Sequence, residues 1–134
     1  MKRIFLALAL LPIAGCTQTE TEPKLGVREE TELAKAIEGK VAGEPVSCIS
    51  GYNATSMRVL GDNTLLYRVN KDFIYINRLQ GACRGLAQGD TLVLRRTTSQ
   101  YCRGDIGQVI NLPSGMMSGS CALGDFIPYK TAGK

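Results

Sequence analysis

From Pro45 onward, apolar and polar residues alternate in short runs that are separated by Gly, Asn and Asp. Such runs are typical of short antiparallel strands joined in hairpins. The pattern predicts a mainly β domain over residues 44–134, a small antiparallel barrel or sandwich of six or seven short strands, with a Gly- and Ser-rich turn at 113–120. The predicted strands cover residues 46–49, 57–60, 64–69, 73–79, 91–95, 106–112 and 126–129.

The segment before this domain has a helical period instead. Leu33, Ala34, Ile37 and Val41 fall on one helical stripe, glutamates crowd its beginning and glycines lie near its end. Acidic residues favour the N-terminus of a helix, and glycine favours its C-terminal cap. The pattern predicts one short N-terminal amphipathic helix at about residues 29–38, within the segment 29–43, which would cover an open end or face of the β domain.

The first residues have the three parts of a secretory signal peptide. Two cations are followed by an apolar run at 4–11 and by small residues at the end of segment 1–15. The apolar run is far shorter than the ~20 residues that span a bilayer. The ending Ile-Ala-Gly-Cys16 resembles the bacterial lipobox, whose cysteine is acylated and becomes the first mature residue. The alternative is an ordinary signal peptide with a chance cysteine at its end.

A lipid on Cys16 would place the protein in the bacterial cell envelope, anchored to a membrane and facing the periplasm. Thr17 rather than Asp after the cysteine implies the outer membrane under the enterobacterial sorting rule. Residues 16–28 are polar, contain Pro and Gly and show no periodicity, which predicts a flexible tether.

Four cysteines remain once Cys16 is set aside, and an even number in an oxidising compartment predicts two disulfides. Four cysteines allow three pairings, and sequence alone does not choose among them. Equal spacing of the last three places them near one rim of the β structure, and our working pairing is Cys48 with Cys102 and Cys83 with Cys121. A zinc site is the alternative, although zinc ligands usually come in close pairs.

Charge and composition limit the chemistry. Residues 17–44 have a net charge of −3 and residues 45–134 a net charge of +5. A modestly basic domain suits an anionic envelope component, whereas a solvated surface is the simpler explanation. The sequence has no basic cluster with stacking aromatics, so we predict no nucleic-acid partner. The chain has no His, which removes Ser-His-Asp and Cys-His catalysis and the commonest transition-metal ligand. We predict no catalytic residues, no cofactor and no metal site.

Two corners share the tripeptide Cys-Arg-Gly, with Arg84 in the first and Arg103 in the second. Asp105 follows the second corner and completes Arg-Gly-Asp. An envelope location makes an animal adhesion receptor an unexpected partner, so we interpret both corners as shared turn chemistry. Arg84, Arg103 and Asp105 are candidate surface residues. Asp105 and Asp125, each after a glycine, are candidates for a glycosidase pair, but turn capping is the favoured role.

The cysteine contexts also carry a resemblance. The Cys16 ending, the short helix and the segments PVSCI, YINRL, ACRGL, YCRGD and GSCALGDFIPY resemble a family of small proteobacterial lipoproteins of unknown function with four cysteines in the mature domain. The resemblance covers about residues 29–130. It implies an envelope location and brings no activity, ligand or catalytic residue.

These observations favour a non-catalytic binding or structural accessory module on a lipid anchor. Its partners would be the membrane, through Cys16, and an envelope protein or an anionic envelope component. One alternative is a periplasmic lysozyme or protease inhibitor, for which the loop 114–119 is a candidate insertion segment. The other is a small cell-wall hydrolase that uses Asp105 and Asp125.

Overall fold

The computed structural model describes residues 25–54 and 56–133, except for the side chain of Ala82. The signal peptide, Cys16 and most of the predicted tether lie outside these residues. The described part is mainly β, as predicted. Its elements are α1 (Val27–Ile37), β1 (Lys40–Ala42), β2 (Cys48–Ser50), β3 (Ser56–Leu60), β4 (Thr64–Arg68), β5 (Phe73–Arg78), β6 (Gln80–Ala82), the 3₁₀ turn Leu86–Gln88, β7 (Thr91–Leu94), β8 (Gln100–Cys102), β9 (Ile106–Asn111), β10 (Met116–Ala122) and β11 (Phe126–Thr131).

The strands form three antiparallel sheets. The first has the order β1-β11-β5-β4-β3, the second the order β6-β10-β9-β7, and the third consists of β2 and β8. One core joins all three, because Leu65 and Phe126 of the first sheet pack with Val109 of the second and Ile49 of the third. The sheets do not close on one another, so the barrel alternative is wrong.

The described residues contain eleven strands, which is more than the six or seven predicted. Three of the missed strands, β1, β6 and β8, have only three residues each and are too short to show an alternating pattern. The fourth, β10, was predicted as part of a Gly- and Ser-rich turn. Its sequence, Met-Met-Ser-Gly-Ser-Cys-Ala, lacks regular alternation, and a bulge interrupts its pairing with β9.

The helix begins two residues earlier than the predicted 29–38 and ends within one residue of it, well before the end of the segment 29–43. Gly39, with φ of 68°, follows the end of α1, and Lys40–Ala42 then pair with β11 instead of continuing the helix. The expected tether to residue 28 is also too long, since Leu25 already packs against the domain. The apolar stripe of α1 covers the outer face of the first sheet, through contacts of Leu33 and Ile37 with the cluster around Leu66. That role is as predicted.

The two disulfides join the pairs that we favoured from sequence. Cys48 and Cys102 lie directly opposite each other across β2 and β8, with a Cα–Cα distance of 4.1 Å. Cys83 and Cys121 are 5.3 Å apart between Cα atoms and are buried in the shared core. Because all four sulfur atoms are bonded in pairs, the zinc alternative does not fit this structure.

A buried amide fixes the passage from β10 to β11. The Asn77 side chain is fully buried on β5. Its Nδ2 donates to the Gly124 carbonyl at 2.7 Å, and its Oδ1 accepts from the Gly124 N–H at 3.1 Å. A side chain on the first sheet thus satisfies both backbone groups of the residue that connects the second sheet to the first.

We expect Asn77→Ala to lower the free energy of unfolding by about 2–3 kcal/mol, because it leaves the buried N–H and C=O of Gly124 without partners. Urea denaturation followed by circular dichroism would measure the change. Asn53→Ala, at an exposed loop position, is the control and should stay within about 0.5 kcal/mol of the parent protein. An equally small loss for Asn77→Ala would contradict this role.

Tyr67 shows the opposite situation, a buried polar atom without a partner. Its ring packs with Tyr101 and Phe126, at centroid distances of 5.3 and 5.6 Å. The side chain is 1% exposed, and its hydroxyl accepts and donates no hydrogen bond among the described residues. Burial raises the pKa of this phenol far above its usual range.

We expect Tyr67→Phe to leave the free energy of unfolding unchanged or to raise it by about 1 kcal/mol, since it removes an unpaired buried hydroxyl and keeps the ring contacts. The same denaturation measurement applies, and Tyr52→Phe at an exposed position is the control. A loss of stability well beyond that of the control would show that the Tyr67 hydroxyl has a partner in solution.

Candidate functional site

The two Cys-Arg-Gly corners are the same backbone turn. Gly85 and Gly104 have φ of 95° and 90°, and no residue other than glycine has a positive φ among the described residues. In each corner the cysteine carbonyl accepts from the N–H three residues later, at 3.3 Å in the first and 3.1 Å in the second. A positive φ at the third position alone is the geometry of a type II turn, which favours glycine there.

In the second corner the aspartate caps the turn. The Cys102 N–H donates to Asp105 Oδ2 at 2.8 Å, as the turn-capping interpretation expects. Arg103 Nη1 lies 3.3 Å from Asp125 Oδ2, in an exposed ion pair. The Asp105 and Asp125 carboxylates therefore already hold a backbone amide and a guanidinium, respectively.

The three candidate surface residues do not form one site. Arg103 and Asp105 lie before the first residue of β9, whereas the corner of Arg84 packs near the other end of that strand, where Gly85 lies against Ser118. The sequence suggested a common surface because the two tripeptides are alike, but the topology places them at opposite ends of the second sheet.

The β9–β10 connection carries the most prominent apolar feature of the described surface. We call residues Leu112–Met117 the hairpin tip. The exposed fractions of Leu112, Met116 and Met117 are 69%, 69% and 61%. Gly115, with φ of 68°, closes the loop through its N–H, which donates to the Asn111 carbonyl at 2.8 Å. Isolated exposed apolar residues are ordinary, and this hairpin is distinguished by carrying three of them within six residues.

A polar network holds the base of this hairpin. We call Asp90, Asn111, Ser114 and Ser118 the Asp90 network. Ser118 Oγ donates to Asp90 Oδ2 at 2.6 Å, and Asn111 Nδ2 donates to Asp90 Oδ1 at 2.8 Å. These two hydrogen bonds, that from Ser118 first, lower the pKa of the Asp90 carboxyl. One carboxylate thus joins both strands of the hairpin to the residue before β7.

The same network extends into the loop. Asn111 Oδ1 accepts from the N–H and from Oγ of Ser114, at 3.1 and 2.8 Å. Ser114 Oγ then accepts from the Met116 N–H at 3.3 Å. Two backbone N–H groups of the hairpin tip are therefore held by the side chains of Asn111 and Ser114.

A bulge and a glycine make room for this arrangement. The pairing of β10 with β9 shifts between Met117 and Gly119, which leaves Ser118 without an opposite residue. Bulges change the direction of a side chain in this way. A Cβ atom on Gly85 would collide with Asp90 and Ser118, so the first Cys-Arg-Gly corner closely approaches the pair.

The chemistry of the network is that of a structural clamp. Asp90 is held in its charged form, and a carboxyl with a lowered pKa is a weak general base at neutral pH. Its contact with Ser118 fixes the serine hydroxyl in place. Within residues 25–54 and 56–133, no group of three or more Cys, Asp or Glu side chains is placed to hold a metal ion.

A charged groove lies between α1 and the first sheet. It has a volume of about 270 Å³ and includes Glu32, Lys35 and Arg58 among its lining residues. Glu32 lies 3.4 Å from Arg58 and 3.6 Å from Arg28. Exposed ion pairs of this kind contribute little to stability, and they leave the groove without a clear binding chemistry.

Comparison with known proteins gives the family and nothing on activity. The profile of a family of unknown function, DUF6491, matches residues 1–128. The chain belongs to this family. No protein of curated function matches it, and no solved structure does.

The hairpin tip of this DUF6491 member has a sequence signal that alternation does not show. Residues 106–124 contain no Asp, Glu, Lys or Arg, and Asp105 and Asp125 border them. A surface hairpin with no charge and three exposed apolar side chains is unusual in a chain of which 21% is charged.

The described residues also contain no helix with the length and apolarity to cross a membrane.

We expect Asp90→Asn to destabilise the protein at neutral pH and to make no difference in strong acid. The folded pKa of Asp90 is lowered, so its stabilisation is complete above the ordinary value of 3.8 and is lost as the pH falls through the folded pKa. Urea midpoints of the variant and the parent protein, measured from neutral pH down into strong acid, would test this. The same gap between the two proteins at every pH would contradict the prediction.

Two serine variants complete this test, one in the Asp90 network and one as the control. Ser118→Ala removes the main cause of the lowered pKa and should reduce the pH dependence that Asp90→Asn abolishes. Ser99→Ala, at an exposed position on a different loop, should leave the urea midpoints of the parent protein unchanged across the pH range.

Proposed function

We propose that this protein is a lipid-anchored component of the bacterial envelope that faces the periplasm and acts as a non-catalytic binding or structural accessory module. The signal-peptide pattern and the lipobox-like ending at Cys16 support the location, and Thr17 supports the outer membrane. The hairpin tip is the contact surface of this module.

One observation carries the proposal: an exposed apolar tip is held in a fixed conformation. Leu112, Met116 and Met117 contribute little to the stability of the fold, because most of their surface remains in water. The Asp90 network nevertheless fixes the loop that presents them. Fixing a surface before it binds lowers the entropy lost on association, so this geometry favours a binding role.

The residue types also suit a contact surface. Methionine side chains are flexible and polarisable, and they pack against surfaces of different shapes. With no charge between residues 106 and 124, the tip makes no ion pairs with a partner. Contact through the tip should therefore depend weakly on salt.

An inhibitor is the second candidate, because an exposed hairpin loop can enter the cleft of an enzyme. The segment 114–119 that we considered for insertion overlaps the hairpin tip, and Met116 and Met117 are exposed within it. A lysozyme inhibition assay with the purified protein tests this class directly. The hydrolase alternative gains no support, since Asp105 and Asp125 each have a structural partner.

The proposal predicts contacts at the tip in intact cells. A photoreactive amino acid at position 116 or 117 should form adducts on irradiation, whereas the same group at position 52 should form few. Tyr52 is the matched control because it is 84% exposed and lies in another loop. Gel shifts and mass spectrometry would detect protein adducts, and mass spectrometry of the labelled peptide would detect lipid adducts.

One result of this experiment would contradict the proposal. If positions 116 and 117 give no more adducts than position 52, while both disulfides are intact, the tip is not the contact surface. Combining Leu112→Ser, Met116→Ser and Met117→Ser should reduce adducts at a neighbouring position such as 113, because the apolar contact is lost.

A further inference from the structure

The described chain begins at the same end of the molecule as the turn between β3 and β4. Leu25 packs beside Gly61 in that turn, and α1 runs away from it toward β1. The next residue of the turn, Asp62, accepts a hydrogen bond from the Ala87 N–H at 3.0 Å. The entry point of the chain is thereby joined to the 3₁₀ turn before β7.

The 3₁₀ turn is also connected to the base of the hairpin. Asp90 follows it and donates its N–H to the Gly85 carbonyl at 3.0 Å. The Asp90 carboxylate binds Asn111, the last residue of β9, and Thr91 lies opposite Ile110. The start of the described chain is therefore connected to the base of the hairpin through a series of direct contacts.

We propose that the hairpin tip docks onto the phospholipid surface to which the Cys16 anchor holds the protein. This inference rests on the function proposed above and names the partner of the same surface. Nine peptide steps separate Cys16 from Leu25. Even fully extended they reach about 30 Å, so the anchor keeps Leu25, and with it this small protein and its hairpin tip, within reach of the lipid surface.

The composition of the tip fits an interfacial position. Leu112, Pro113, Met116 and Met117 carry no charge that would need to be desolvated. Loops and helices that lie in a membrane interface insert apolar side chains about 5–10 Å into the headgroup and acyl boundary. Arg84, exposed in the corner beside the hairpin base, is a cation available to lipid phosphates.

Anchoring makes weak docking sufficient. Because the lipid on Cys16 already holds the protein at the membrane, contact of the tip becomes an intramolecular event with a high effective concentration. Three apolar side chains then suffice, although they would bind a free protein to vesicles only weakly. A partner protein with a cleft is not needed to explain why the three apolar side chains of the hairpin tip are exposed.

The absence of tryptophan from the chain makes a clean test possible. Met117→Trp introduces a single fluorophore at the tip, and Tyr52→Trp introduces one on the control loop. Gly51, next to Tyr52, lies against Arg96 and Ser99 beyond the far end of β7. The full lipidated protein is reconstituted into vesicles of phosphatidylethanolamine with phosphatidylglycerol as the minor lipid, with or without bromine on the acyl chains near the headgroup.

We expect brominated lipid to quench the fluorescence of the Met117→Trp variant by at least about half, because a side chain within ~5–10 Å of the boundary meets the bromine atoms. The fluorescence of the Tyr52→Trp variant should be quenched little. Met116→Trp serves as a second tip variant in case one substitution disturbs the loop. Correct disulfides, mapped from non-reduced peptides, show that each variant is folded.

Each other outcome has a definite meaning. If the protein floats with vesicles but neither tip variant is quenched, docking on lipid is wrong. Protein adducts at positions 116 and 117 in cells would then mean that the tip binds a protein, and the proposed function would stand. A blue-shifted but unquenched fluorophore at position 117 would overturn lipid docking and indicate a second copy of the chain. If the protein does not float, both the anchor and this inference fail.

Discussion

The disulfide between Cys83 and Cys121 is the constraint on which the second sheet depends. It joins the corner after β6 to the middle of the domain core, and a cross-link that closes a loop of 38 residues stabilises a fold by about 4 kcal/mol. Its position also matters locally. Gly85, two residues after Cys83, must lie against Ser118, three residues before Cys121, and the Asp90 network forms only where these two segments meet.

The two Cys-Arg-Gly corners show how a common turn acquires different roles. Both are type II turns that begin at a disulfide-bonded cysteine. Their fourth residues differ: Leu86 is buried in the core, whereas the Asp105 carboxylate caps the amide of Cys102. The Arg-Gly-Asp sequence is therefore explained by local hydrogen bonding. The first corner lacks the aspartate, yet it is the corner that lies against Asp90 and Ser118 at the base of the hairpin.

Features that repeat locally could be predicted from the sequence, and features that depend on distant contacts could not. Alternation located the longer strands, such as β5, and the stripe through Leu33 located the helix. Strand β10 was missed because Ser118 is bulged, and a bulge is set by the partner strand. The loop 114–119 was singled out as a candidate insertion segment, but its fixed conformation could not be predicted. That conformation depends on the Asp90 network, whose members come from positions 90, 111, 114 and 118.

The contacts that hold the three sheets together are different from those that fix the hairpin tip. The shared core around Val109 and Phe126 and the buried amide of Asn77 hold the sheets together without the hairpin tip. The Asp90 network, by contrast, lies at the surface and fixes a loop whose apolar side chains stay in water. A loop that needed only to connect β9 and β10 could be polar and unconstrained. Its apolar, uncharged and fixed form is suited to contact with an apolar surface, and on the Cys16 anchor that we propose, the membrane would be such a surface.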